Sequence, residues 1–143
     1  MQPDDPLDRA LWALSDVMRG VFAHRVAELG LTTPQALILR LLVHPRPMKE
    51  LAAVMLFDPS YVTALVDGLE ARGLAERRAD PVDRRVKLIA TTPAGAAARR
   101  SLQRAISRSL PGNDALTPKE RAQLARLLTK AAGPAGDPSV APD

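Results

Sequence analysis

The chain has 143 residues, a formal net charge of +4 from 20 basic and 16 acidic residues, and no cysteine. That length can bury a core without a disulfide or a metal, and the missing thiol excludes a Cys nucleophile, a Cys-ligated zinc and a thiol redox switch. No apolar run approaches the roughly 20 residues of a membrane span, and the opening MQPDDPLDRA lacks the basic and apolar parts of a signal peptide, so a cytoplasmic protein is expected.

Residues 1–6 read as a flexible arm. From Leu7 to Leu29, the residues Leu11, Leu14, Met18, Val21 and Phe22 recur at helical spacing, and Gly30 ends that helix. Later helices announce their starts, because Thr33-Pro34, Asp58-Pro59, Thr92-Pro93 and Thr117-Pro118 each set a capping oxygen before a proline. The oxygen accepts an orphan N–H, and Pro fits the first turn because its missing donor has no partner there. Thr117 with Glu120 adds a capping box. A second helix, Pro34 to Val43, is expected to bury Leu37, Ile38, Leu41 and Leu42 before His44-Pro45-Arg46-Pro47 breaks it. A third, Met48 to Leu56, sets Met48, Leu51, Ala52 and Met55 on one face. Only Phe57-Asp58 separates it from a fourth, Pro59 to Arg72, which buries Val62, Leu65, Val66 and Leu69. Two short helices at so tight a joint form a helix-turn-helix.

Leu74 to Arg78 and Val86 to Ala90 read as the strands of a hairpin, with the polar turn ADPVDRR between them. A fifth helix, Pro93 to Leu110, carries Leu102, Ala105, Ile106 and Leu110 on one side. Pro111-Gly112-Asn113-Asp114 is a tight turn, and a sixth helix, Pro118 to Ala132, carries Leu124, Leu127 and Leu128. The tail from 133 to 143 is rich in Pro and Gly with little to bury, so disorder is expected there.

Helix-turn-helix followed by a basic hairpin is the order of a winged helix-turn-helix, which puts one helix in a DNA groove and a charged hairpin beside it. Arg72, Arg77, Arg78, Arg84, Arg85 and Lys87 gather in and around this hairpin, a local excess suited to phosphate. On the fourth helix, Ser60, Tyr61, Thr63, Ala64 and Asp67 lie away from the apolar stripe. Small side chains let a helix sit deep in the major groove, and hydroxyls can take phosphates or base edges. Arg84 and Arg85 alone would be a solvated turn; after a helix-turn-helix such a hairpin tracks a minor groove or a phosphate row. Asp83 is expected to shape that turn, and Arg85 to pair with Asp83 or Glu76. Arg100, Arg104 and Arg108 form a row on the fifth helix that reads as a solvated face, or as pairing with Asp8 and Asp16. His24 and His44 do not make a metal set. No G-x-S-x-G, P-loop, G-x-G-x-x-G or H-E-x-x-H is present, so no enzyme, catalytic residue, cofactor or metal is expected.

Three segments, LTTPQALILRLL, MKELAAVMLFDPSYVTALVDGLEARGLAERR and DPVDRRVKLIATTPAG, resemble the MarR (multiple antibiotic resistance regulator) family of bacterial transcription factors. The likeness runs from about Leu29 to Gly95, and the family's wing pattern is present as Asp83, Arg84, Arg85, Leu88, Thr92 and Gly95. The resemblance implies a mostly α fold with a small β-hairpin wing: a winged helix-turn-helix lobe (30–92), with N- and C-terminal helices (7–29 and 93–132) forming a dimer base. It implies a homodimer meeting through Leu11, Trp12, Leu14, Met18, Leu102, Ile106, Leu110, Leu124, Leu127 and Leu128. Double-stranded DNA is then contacted by Pro59, Ser60, Tyr61, Thr63, Ala64, Arg84 and Arg85. The implied function is a sequence-specific transcriptional regulator, a repressor on a palindromic operator, released by a small aromatic or phenolic effector bound between base and lobe. The tight turn between the fifth and sixth helices argues against a roomy effector pocket. The alternative is a winged-helix module that binds protein instead of DNA.

Overall fold

The computed structural model describes residues 5–110, 112 and 114–133. The arm at 1–4, the tail beyond 133, and Pro111 and Asn113 of the expected turn lie outside the described residues. Asp5 and Pro6, read above as part of the arm, instead start α1 (Pro6–Glu28): the Asp5 carboxylate accepts the Leu7 N–H at 2.9 Å, and Pro6 takes the first turn. The order continues with α2 (Thr33–Leu41), β1 (Arg46–Pro47), α3 (Met48–Met55) and α4 (Pro59–Ala71). It ends with β2 (Ala75–Ala79), β3 (Lys87–Thr91), α5 (Pro93–Ser109) and α6 (Pro118–Ala132).

The caps on α4, α5 and α6 are those the sequence announces: Asp58, Thr92 and Thr117. The start of α2 differs by one residue. Thr32, not Thr33, is the cap, because only from Thr32 does Gln35 fall at the third helical position. The Thr32 hydroxyl oxygen accepts the Gln35 N–H at 3.3 Å, and Gln35 Oε1 accepts the Thr32 N–H at 3.1 Å. This reciprocal pair satisfies orphan donors that a Thr33 cap would leave open.

The largest fully buried side chains are Val26, Ile38, Leu39, Leu42, Leu51, Val62, Val66, Leu69 and Ile89. They come from the last turns of α1, from α2, α3 and α4, and from the central strand, so the core is that of the winged lobe. On α2, Ala36 and Leu39 join Ile38 inside, while Leu37 and Leu41, expected in the core, are half-buried. Their side of the helix faces grooves toward α1 and α5 and toward the α3–α4 joint.

The sheet has the order β1-β3-β2, all antiparallel. The sequence suggests the hairpin but not β1, since Arg46-Pro47 reads as a helix breaker. Arg46 pairs with Ile89 and Pro47 with Leu88. Proline is tolerated because β1 is an edge. The hairpin strands each run one residue later than the sequence suggests, and in them Arg77 sits opposite Ile89 and Arg78 opposite Leu88.

Candidate nucleic-acid interface

At the start of α4 the Asp58 side chain accepts the Ser60 N–H at 2.8 Å and also takes the Ser60 hydroxyl. These bonds, the hydroxyl first and the amide second, hold the Asp58 carboxyl below its ordinary pKa. Pro59, Ser60, Tyr61 and Ala64 are exposed, and Thr63 is half-exposed. The sequence-predicted residues of this helix therefore share one open face. Thr63 Oγ1 donates back to the Pro59 carbonyl at 2.9 Å. With both hydroxyl protons turned inward, Ser60 and Thr63 offer lone pairs outward, which suits the amino donors of base edges rather than phosphate oxygens. Tyr61 packs its ring against Phe57 edge-on, with centroids 5.3 Å apart, so an exposed aromatic is held in one orientation.

The hairpin cations divide sharply. Arg77 bridges from β2 to α4, with Nη2 on Asp67 at 2.7 Å and Nη1 on Glu70, and so fixes the wing against the helix. Arg78 pairs with Glu76 on its own strand. Arg72 donates to the carbonyls of Gly30 and Leu29 at 2.5 and 2.9 Å. Among the described residues, the exposed side chains of Arg84, Arg85 and Lys87 make no hydrogen bond or ion pair. The expected pairing of Arg85 is not formed: Asp83 Oδ1 accepts the Arg85 backbone N–H at 3.0 Å, and Glu76 is taken by Arg78. Asp83 does shape the turn, together with Asp80, whose Oδ1 accepts the Val82 N–H at 2.8 Å. Backbone bonds from Asp80 N to the Val86 carbonyl and from Val86 N to the Asp83 carbonyl, both 2.9 Å, close the tip. Free cations on a turn this braced are presented rather than solvated at random.

The outer helices carry a different surface. Leu11, Trp12, Met18, Leu124 and Leu127 are exposed, and Leu14, Ile106, Leu110 and Leu128 are half-buried. Leu102, expected on the dimer surface, is instead only 4 % exposed and belongs to the core. It sits on the side of α5 that faces the lobe. The Arg100–Arg104–Arg108 row does not engage Asp16, which pairs with Arg19 on α1, and Arg108 Nε donates to the Arg104 carbonyl at 3.4 Å. His24 lies 3.5 Å from Glu28, one turn along α1.

A groove of about 630 Å³ runs between base and lobe. The short α5–α6 turn therefore does not eliminate such a space. Ser15, Met18, Arg19 and Phe22 of α1, Thr33, Leu37 and Arg40 of α2, and Gln103, Ile106 and Leu110 nearby line it, with no acidic side chain. Arg40 makes no bond among the described residues. Sequence reading missed this pair of arginines because it forms across two helices rather than within one.

These features define a winged-helix protein of the regulator type, with a helical base and a charged hairpin. The MarR family model matches residues 29–86. No curated protein matches the chain. Among solved structures it is similar to the apo form of MarR from E. coli, at 25% identity and TM-score 0.75 over 92% of this chain and 100% of that one. It is also similar to CouR from Rhodococcus jostii RHA1, solved bound to p-coumaroyl-CoA, at 29% identity and TM-score 0.71 over 91% and 94%. A probable transcriptional regulator from Pseudomonas aeruginosa is 30% identical, with TM-score 0.65 over 91% and 99%. The chain belongs to the MarR family.

Proposed function

We propose that this protein is a sequence-specific transcriptional repressor that binds a palindromic operator as a homodimer in the cytoplasm. The observation that carries this is the wing: Arg84 and Arg85 on a braced tip, and Lys87 at the start of β3, are exposed and make no hydrogen bond or ion pair among the described residues. A guanidinium so placed can enter a narrow minor groove or fork onto a phosphate. Support for the dimer is the apolar base, where Trp12 and Leu127 are 60% and 46% exposed. A second copy would take out of water the half of each side chain that is still exposed, roughly half of the 1.5–3 kcal/mol that full burial of a large apolar side chain is worth.

The test is selection from a random duplex library with the purified protein, followed by light scattering. Enrichment of an inverted repeat is expected, with a solution mass of a dimer and loss of both dimer and repeat binding in Leu127→Glu. No enriched sequence would move the function to the protein-binding alternative.

A specific observation also favours an effector. The base–lobe groove is apolar along Met18, Phe22, Leu37 and Ile106 and carries Arg40, which makes no bond among the described residues, across from Arg19, which Asp16 holds; this suits an aromatic or phenolic anion. CouR, a relative by fold, holds p-coumaroyl-CoA. Such a ligand is expected to weaken operator binding, and Arg40→Gln to blunt its effect.

A further inference from the structure

Two segments join base to lobe: the turn after α1 and the start of α5. Both are fastened to the same three residues, Arg72, Gly73 and Leu74, which follow directly on α4. At the first joint, the Arg72 guanidinium donates to the carbonyls of Gly30 at 2.5 Å and Leu29 at 2.9 Å. Gly30 turns there with φ 64°, a left-handed conformation, and its own position leaves room for the arginine, whose Nη2 would stand 3.6 Å from an added Cβ. At the second joint, the Thr92 hydroxyl donates to the Gly73 carbonyl at 2.6 Å, and the Thr92 N–H to the Leu74 carbonyl at 3.2 Å. Gly95 presses against Leu74 so closely that a Cβ would lie 1.7 Å from its carbonyl oxygen.

The two fastenings differ in kind. The Thr92 joint is backbone and cap, continuous with the wing strands. The Arg72 joint is a side-chain fork reaching between segments 42 residues apart in sequence, beside the apolar contacts of Val26 and Leu31. Its charge also lies at the C-terminal end of α1, where a cation is favoured by the helix dipole. Arg72 is the C-cap residue of α4. Any rotation of α4 about its own joint with the base must break this fork or carry α1 with it.

We propose that Arg72 is a positioning residue for DNA recognition: by forking onto Leu29 and Gly30 it sets the angle at which the base presents α4. In a dimer that angle fixes the separation of two recognition helices, and so the half-site spacing that is read. This last step rests on the DNA-binding reading above; the fork itself does not.

Arg72→Lys is the variant of choice. Lysine keeps the charge at the end of α1 but cannot fork onto two carbonyls, so the fold survives while the angle is released. The first readout needs no DNA: residual dipolar couplings of backbone amides in α1 and α4. In the wild type both helices are expected to fit one alignment tensor. In Arg72→Lys, α4 is expected to show a lower degree of order than α1, while amides within the lobe remain mutually consistent. One shared tensor in both proteins overturns the proposal. The second readout is selection of duplexes whose half-sites are moved apart or together by one base pair. The wild type is expected to discriminate against the shifted sites by about tenfold, and Arg72→Lys to lose most of that preference while its affinity for a single half-site changes little. Retained spacing preference in Arg72→Lys overturns the proposal as well. If the wild type selects no DNA, the DNA-binding reading fails, and the tensor comparison still decides whether the fork holds α4.

Discussion

In the lobe, Ile38, Leu39, Leu51, Val62, Val66 and Ile89 are all fully enclosed by one chain, whereas in the base Trp12, Leu124 and Leu127 stand 60%, 40% and 46% exposed. α4 buries Val62, Leu65, Val66 and Leu69, and α6 buries nothing. The lobe has satisfied its apolar groups internally and turns hydroxyls and free cations outward. The base turns leucines outward and needs an apolar surface to cover them. One chain thus carries a surface suited to a charged polymer and another suited to its own copy, and the seam between them has to hold both in register.

That seam gives the largest expected effect. Gly95 lies in the first turn of α5, where the Thr92 hydroxyl caps its N–H at 3.0 Å. An added Cβ would meet the Leu74 carbonyl oxygen at 1.7 Å, a backbone atom that cannot swing aside. Gly95→Ala must push α5 off the lobe, so destabilisation of about 3 kcal/mol or more is expected in urea unfolding. Near wild-type stability would mean that base and lobe are loosely joined there.

How legible the two regions were in the sequence follows from the same contrast. Lobe helices were readable because cap, proline and apolar stripe agree, as at Asp58-Pro59 with Val62, Leu65, Val66 and Leu69. Agreement among local signals is what marks an element. The α2 cap is not legible from the Thr33-Pro34 pair, because the residue that selects Thr32 is Gln35, three positions further on. β1 was invisible because two residues ending in proline carry no period. The wing tip was legible as a charge cluster, but composition could not separate Arg77 and Arg78, engaged by Asp67, Glu70 and Glu76, from Arg84 and Arg85. That division depends on cross-strand and strand-to-helix distances. Leu102 was misplaced for a related reason: α5 is apolar on one side, and sequence cannot say which leucine faces the lobe and which a partner.

The next effect tests the polar half of the comparison. Arg84 makes no hydrogen bond or ion pair among the described residues, so Arg84→Ala is expected to leave the melting temperature unchanged. Operator binding should weaken by about 1–3 kcal/mol, and for a phosphate contact the slope of log affinity against log salt should fall by roughly 1 per subunit. Arg77→Ala is the contrast: it removes the bridge to Asp67 and Glu70 and should disturb the wing's placement and stability together. Equal behaviour of the two variants would erase the distinction between braced and presented cations.

Leu56, like Val43, Tyr61 and Val82, is an exposed apolar residue of the lobe, and it offers a smaller, opposite effect. It is 91% exposed and sits at the end of α3 with φ 54°, a left-handed conformation in a non-glycine residue. The Cβ clash of that conformation costs about 1–2 kcal/mol, part of which glycine returns through a floppier unfolded chain. Leu56→Gly is therefore expected to raise stability by about 0.5–1 kcal/mol in urea unfolding, removing an exposed apolar side chain at the same time. A loss of stability instead would show that the leucine side chain has a packing role despite its exposure.

The smallest effect concerns the charge that starts α4. The Asp58 carboxyl is held below its ordinary pKa by the Ser60 hydroxyl and then the Ser60 amide. A group whose folded pKa is depressed contributes stability that is present above its unfolded pKa and is lost as pH falls through the folded value. Asn at this position still caps the helix but brings no charge. The melting temperature of the wild type should therefore exceed that of Asp58→Asn at neutral pH, and the gap should close as the solution is acidified through the aspartate range. Glu120 is likewise lowered, chiefly by the Thr117 amide, so the acid limb common to both proteins will not vanish. The informative quantity is the difference between the two curves. If that difference is constant from neutral to acid pH, the Asp58 charge adds nothing beyond the hydrogen bonds that an amide oxygen makes equally well.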